Sequence, residues 1–185
     1  MAVSIRDASP DDAEAVRALY AHEVETAFAS YEYEAPGIDE MRRRIVATID
    51  AGYPWLIAQI DGDFAGYAYA SSFRSRAGYR WTVENTVYVA PRYHRLGVGR
   101  ALMLALIERC TAHGFRQMIA VIGDGSNAGS IALHHNLGFQ HVGTFRGIGY
   151  KTVGGLPGRW LDGVQMQLAL GAGSAEPPIH QSGFK

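Results

Sequence analysis

One cysteine, Cys110, stands in 185 residues, so no intramolecular disulfide can staple the fold, and a reducing cytoplasm is the compartment expected. No apolar run approaches the roughly 20 residues a helix needs to cross a bilayer. The first residues, Met-Ala-Val-Ser-Ile-Arg, lack the apolar stretch of a signal peptide. Neither sign of charge dominates, with 17 lysines and arginines against 18 acids. That balance argues against nucleic-acid and membrane-surface partners. His-Glu-x-x-His, Gly-x-Ser-x-Gly and Gly-x-x-x-x-Gly-Lys are also missing, which removes the zinc-hydrolase, serine-hydrolase and P-loop readings. Seven histidines are present, but none falls in a ligand motif, and neighbours His134 and His135 diverge by about 100° on a helix. No metal is expected.

What remains is enough for one globular body. Hydrophobic residues make up 48% and charged residues 19%, a composition that buries a core at this length without help. We expect a single domain over residues 1–170 and a flexible Gly-, Ser- and Pro-rich tail over 171–185.

The order of elements reads as mixed α/β. A strand is expected over 3–8, then a helix opened by Ser9-Pro10-Asp11-Asp12 and running to about residue 29. A second helix spans 39–51, where Met41, Ile45 and Ile49 recur at four residues and Gly52 can cap it. β-rich runs at 55–60 and 64–70 flank Asp61-Gly62-Asp63, an antiparallel hairpin signal. A strand over 81–89, a helix over 100–113, a strand over 118–122 and a helix over 127–136 follow. Extended segments near 143–150 and 160–170 complete the chain. Cys110 shares a helical stripe with Leu102 and Leu106, which makes it core rather than nucleophile.

The informative stretch runs from Thr86 through Val87, Tyr88 and Val89 to Leu102. It reads strand, glycine loop, helix. Gly97 and Gly99 carry no side chain to hold a ligand off the backbone, and the first N–H groups of the helix point outward, a natural seat for a pyrophosphate. Glycines in such a place can also serve only a tight turn. A dinucleotide fold would want a third glycine where Leu102 stands.

At this point the chain resembles the GNAT superfamily, whose signature Arg/Gln-x-x-Gly-x-Gly/Ala is met by His94-Arg95-Leu96-Gly97-Val98-Gly99 except at its first position. A second signature is similar to Asn127-Ala-Gly-Ser130-Ile-Ala-Leu133-His134-His135-Asn136-Leu137-Gly138-Phe139, with His134 where a tyrosine is frequent. Further segments, Tyr53-Pro-Trp-Leu-Ile-Ala58, Gly66-Tyr-Ala-Tyr-Ala70, Tyr79-Arg-Trp-Thr-Val-Glu84-Asn-Thr-Val-Tyr-Val89 and Gly158-Arg-Trp-Leu-Asp162, resemble the phosphinothricin and methionine sulfoximine N-acetyltransferases over about residues 3–170. The resemblance implies a GNAT α/β fold with a central mixed sheet flanked by helices. It implies acetyl-CoA as cosubstrate, a small amino acid as acceptor, and a homodimer in which residues 149–162 line the neighbour's site, although 152–157 is longer than in many members. Two other readings stay open: a GNAT acting on another small amine or a peptide N-terminus, and a non-catalytic acyl-CoA sensor.

The resemblance also assigns roles. The acetyl-CoA contacts fall on Val87, Tyr88, Val89, Arg95, Leu96, Gly97, Val98, Gly99, Arg100, Asn127 and Ser130. Glu84 is the general base and His134 the acid or a substrate contact. Arg74, Arg76 and Tyr79 hold the anionic part of the substrate, and Tyr31 and Tyr33 form an aromatic wall. From the residues alone, strand alternation puts Glu84, Thr86 and Tyr88 on one face and Val83, Val87 and Val89 on the other. The N–H of Val89 is the expected donor to the acetyl carbonyl.

Overall fold

A computed structural model describes residues 2–155 and 157–178. The chain enters on β1 (Val3–Asp7) and turns through a short 3-10 segment, Pro10–Asp12, whose cap is Ser9. The Ser9 N–H donates to Asp12 Oδ2 at 2.8 Å, and Arg6 holds the same carboxylate by two bonds, so the entry to the next helix is fixed from both sides. That helix, α1 (Ala13–Thr26), is followed by α2 (Ile38–Asp50). It stops short of the expected residue 29 because Ala27 is already extended, and Phe28 leaves to lie under the Arg159 guanidinium.

The hairpin β2 (Trp55–Ile60) to β3 (Asp63–Ser72) forms as the Asp-Gly signal predicts. Asp61 and Gly62 both have positive φ, 52° and 90°, the twist that suits a two-residue loop between right-twisted strands. After β4 (Thr82–Val89) come α3 (Val98–Ala112), β5 (Gln117–Ile122), α4 (Ala128–Asn136), β6 (Gln140–Lys151) and β7 (Arg159–Ala169). Residues 171–176, within the expected tail, form turns and a bend, and Arg116 donates to the Pro177 carbonyl at 3.1 Å. Residues 179–185 lie outside the described residues.

The strands form one seven-stranded sheet in the order β1-β2-β3-β4-β5-β7-β6. Every neighbouring pair is antiparallel except β4 and β5. α1 and α2 cover one face, packing Val16, Leu19, Met41 and Ile45 onto Trp55, Ile57 and Tyr67. α3 and α4 cover the other, where Leu102, Met103, Leu106 and Cys110 are fully buried. Each such aliphatic side chain contributes about 1.5–3 kcal/mol by leaving water. Burial pushes the Cys110 thiol up to about 12, which suits a core position and not a nucleophile.

Candidate active site

The parallel pairing of β4 with β5 runs from Thr82↔Gln117 to Asn85↔Ala120 and goes no further. On its other edge β4 stays paired with β3 as far as Val89. The Ala90 N–H bonds to the directly opposite Ala65 carbonyl at 2.9 Å, which fixes the alternation: even-numbered residues of β4 turn their backbone groups to β3, and Val87 and Val89 turn theirs to the β5 side. Beyond Asn85 that side has no strand on it. The split therefore presents backbone groups of Val87 and Val89 to whatever enters. Tyr88, expected among the same contacts, differs: its backbone belongs to the β3 ladder and its ring packs among Tyr20 and Tyr67 on the α1/α2 face.

Just past the split the chain makes its glycine loop. Arg95 and Gly97 have positive φ, 64° and 81°, and Gly97 caps α3 in the left-handed region, so the helix starts two residues before the expected Arg100. Its first internal bond runs from Ala101 N–H to the Gly97 carbonyl at 3.0 Å, leaving the N–H groups of Val98, Gly99 and Arg100 without a helical acceptor. Arg95 and Arg100 are exposed beside them. The two glycines serve different needs. A Cβ on Gly97 would meet nothing, so conformation alone requires glycine there, whereas a Cβ on Gly99 would press on Leu133 of α4 and Val89 of β4 at 3.3 and 3.5 Å. His94 also has a place: its Nε2 donates to the Val89 carbonyl at 2.9 Å, which satisfies one of the β4 oxygens on the side that no strand covers.

Glu84 and His134 lie on opposite faces of β4. Glu84 is half-buried on the α1/α2 side, and burial holds its carboxyl above the ordinary value. Its neighbour Asn85 points the other way, into the layer of α3 and α4, and meets His134. That ring is buried, with Nδ1 at 2.8 Å from the Ser130 carbonyl and Nε2 at 3.0 Å from Asn85 Oδ1. It packs edge-on to Phe139. Asn127 caps α4, its side-chain oxygen accepting from the Ser130 N–H at 3.0 Å.

The expected substrate residues separate into two groups. Arg74 sets its guanidinium over the rings of Phe73 and Tyr79, at 5.1 and 5.5 Å, and Arg76 caps a 3-10 turn, Ala77–Tyr79, that leads into β4. All three are exposed. Tyr31 and Tyr33 are held elsewhere, their hydroxyls donating to the carbonyls of Gly123 and Tyr150. A cavity of about 320 Å³ opens near β6 and β7, but its charges are mutually paired, Arg146 with Asp162 and Arg159 with Asp124. Among the described residues no cluster of three or more His, Cys, Asp or Glu is arranged to hold a metal ion. No helix among them is long and apolar enough to cross a membrane.

The Acetyltransferase (GNAT) domain family matches residues 5–164, a span that includes the strand split and the glycine cap. The chain belongs to the GNAT acetyltransferases. This GNAT is 44% identical over 177 residues to a phosphinothricin N-acetyltransferase of Alcaligenes faecalis, covering 96% of the chain and 87% of that protein. It is 38% identical to an L-methionine sulfoximine/L-methionine sulfone acetyltransferase of Pseudomonas paraeruginosa, covering 92% and 96%. A crystal structure of a GNAT phosphinothricin acetyltransferase from Sinorhizobium meliloti in complex with AcCoA superposes with a TM-score of 0.91 at 42% identity, over 99% of this chain and 95% of that one. The GNAT is an acetyl-CoA-dependent N-acetyltransferase, and the open backbone groups of the split and the α3 N-terminus fit that cosubstrate.

Sequence reasoning missed Asn85 and Lys151, and it named His94 only as the residue that departs from the signature, without its bond to Val89. An asparagine inside a run of valines had to find polar partners if buried, so a signal for Asn85 existed. Nothing local marked Lys151, which the structure buries fully with its Nζ donating to the Ser30 carbonyl at 2.6 Å. Burial lowers its pKa, against the pull of Glu23 and Glu32.

Proposed function

We propose that this GNAT acetylates the free amino group of phosphinothricin, methionine sulfoximine or a closely similar small amino acid by direct attack on acetyl-CoA. The split between β4 and β5 carries the reading, because it supplies backbone donors at the depth where Glu84 and His134 stand on either side of one strand. The glycine loop and the N–H groups of Val98, Gly99 and Arg100 receive the pyrophosphate, with Arg95 and Arg100 adding charge. Asn127 and Ser130 flank the pantetheine arm from the start of α4.

Glu84 takes a proton from the substrate ammonium, and its raised pKa brings it nearer the proton it must accept. The Val89 N–H steadies the acetyl oxygen as the nitrogen bonds to the carbonyl carbon. His134 gives a proton to the sulfur as the carbon–sulfur bond breaks. Of the two protons the nitrogen loses, one restores His134 and the other reaches solvent through Glu84. Arg74, Arg76 and Tyr79 receive the carboxylate or phosphinate, and Tyr31 and Tyr33 form a wall. The enzyme works in the cytoplasm as a homodimer, with residues 149–162 near the partner's site, and its activity would confer resistance to the herbicide phosphinothricin. The test is thiol release from acetyl-CoA with phosphinothricin, methionine sulfoximine, proteinogenic amino acids and a short peptide. Turnover confined to the peptide, or none with any amine, would refute it.

A further inference from the structure

The partners of His134 constrain its protons. The Ser130 carbonyl, 2.8 Å from Nδ1, can only accept. Asn85 has two possible ends, but its Nδ2 donates to the Ile119 carbonyl at 3.0 Å, and that oxygen too can only accept. Oδ1 is therefore the atom facing Nε2. Both ring nitrogens must donate, and a neutral imidazole has one N–H. Either neutral tautomer sets a lone pair against an oxygen. The Ser130 hydroxyl, at 3.5 Å from Nδ1, is too distant to relieve it.

Two further features favour the doubly protonated ring. His134 sits in the last turn of α4, where the unpaired carbonyls of a helix favour a cation. Asn85 is itself fixed, since it occupies the last rung that joins β4 to β5 and its amide ties across that rung. No carboxylate or amine faces the ring among the described residues: β4 presents Asn85, β5 the Ile119 carbonyl behind it, α4 its own Ser130, and the chain after α4 the ring of Phe139. His135, next along the helix, is exposed. Burial, the larger influence, holds the ring's pKa below the ordinary histidine value and the Ser130 carbonyl offsets it only in part, so the charge rests on the two acceptors that face the ring.

We propose that Asn85 is a positioning residue that holds His134 as an imidazolium at the vertex where β4 and β5 part. The inference deepens the reading of His134 as the acid of acetyl transfer and rests on it for its catalytic consequence. A positive ring at the vertex is the counter-charge for a departing thiolate, and it becomes the proton source only when its Nε2–H leaves the Asn85 oxygen for the sulfur. Without the Asn85 oxygen the buried ring would give up a proton and take the single Nδ1–H form that Ser130 alone supports.

The experiment is nitrogen NMR of histidine-labelled protein without ligand, with the His134 signals identified by their loss in His134→Gln. Both ring nitrogens are expected to be protonated at pH 7. Asn85→Leu, which keeps the bulk and removes the acceptor, should lower the His134 titration by about one to two pH units, the worth of a charge-assisted hydrogen bond. The basic limb of the kcat–pH profile should move with it. Asn85→Asp should raise the titration by about one to three units, which keeps the test alive if the leucine variant does not fold. An unprotonated ring nitrogen in the wild type, or a titration that neither variant moves, overturns the proposal. A doubly protonated ring in an enzyme whose His134→Gln variant keeps full kcat would instead uphold the Asn85 contact and reject His134 as the acid, so the two failures are distinguishable.

Discussion

The ring of Tyr31 fills the space that a side chain on Gly149 would occupy. Its hydroxyl reaches on to the Gly123 carbonyl at 2.8 Å, 92 residues away in the chain. Tyr33 bonds to the Tyr150 carbonyl, and Lys151 reaches back to Ser30. The segment between α1 and α2 is thus pinned across the ends of β5 and β6 by three side-chain to main-chain bonds.

Gly149→Ala should overpack this junction and cost about 1–3 kcal/mol. The cost should largely vanish in a Tyr31→Ala background, because the nearest atoms that the new methyl would meet all belong to that ring. Urea unfolding of the two single variants and the double variant gives the coupling. Additive effects would place Tyr31 elsewhere.

Glu84→Gln should lower kcat by about 10²–10⁴-fold, the usual contribution of a general base, with acetyl-CoA affinity nearly unchanged. The same substitution should raise the melting temperature at neutral pH. Burial raises the folded-state pKa of Glu84 above its unfolded value, so its stabilising effect is full below the unfolded pKa and is lost as pH rises through the folded one. At pH 7 the ionised carboxylate is a burden that glutamine removes. Wild-type kcat should fall on the acid side around a pKa above the ordinary glutamate value, and that limb should be absent in Glu84→Gln.

Gly97→Ala and Gly99→Ala should weaken acetyl-CoA binding for different reasons. At Gly97 the left-handed backbone penalises any Cβ by about 1–2 kcal/mol, and no second-site change in packing should recover it. At Gly99 the added methyl presses on Leu133 and Val89, so Leu133→Val should partly restore binding. Calorimetric titration with CoA separates the two, and equal rescue of both would contradict the distinction.

Replacing Arg74 and Arg76 together by alanine should raise the KM for an anionic amino acid by about tenfold or more, since each charge-assisted hydrogen bond is worth about 1.5–3 kcal/mol. Acetyl-CoA affinity and melting temperature should hold, because both residues lie on an exposed loop. A matching loss of cosubstrate affinity would place them on the wrong side of the split.

Local chemistry was legible in the sequence and long-range pairing was not. The Asp61-Gly62 turn, the Ser9 cap and the left-handed Gly52 follow from residue types whose backbone preferences are intrinsic, and each forms as expected. The insertion of β7 between β5 and β6 depends on contacts that no local pattern encodes. The site divides the same way. The order strand, glycine loop, helix was readable from the residues, the loop's ligand only through the family resemblance, and Glu84 could be placed on one face by alternation. The partners of His134, Tyr31 and Lys151 lie 49, 92 and 121 residues away, and only the folded chain brings them together.

The parallel register of β4 with β5 runs for only four rungs, from Thr82 to Asn85. In mechanical terms the sheet is a book with two covers, one of four strands built from the first half of the chain and one of three built from the second, sharing a short spine. The chain crosses the spine through α3 alone, which ends at Ala112 in a turn that reaches Gly114. A break in that turn would leave the two covers held together by those rungs, by the core to which both contribute, and by the bonds of Ser30, Tyr31 and Tyr33 to the second cover, and a ligand that spanned the spine would add one more tie between the fragments.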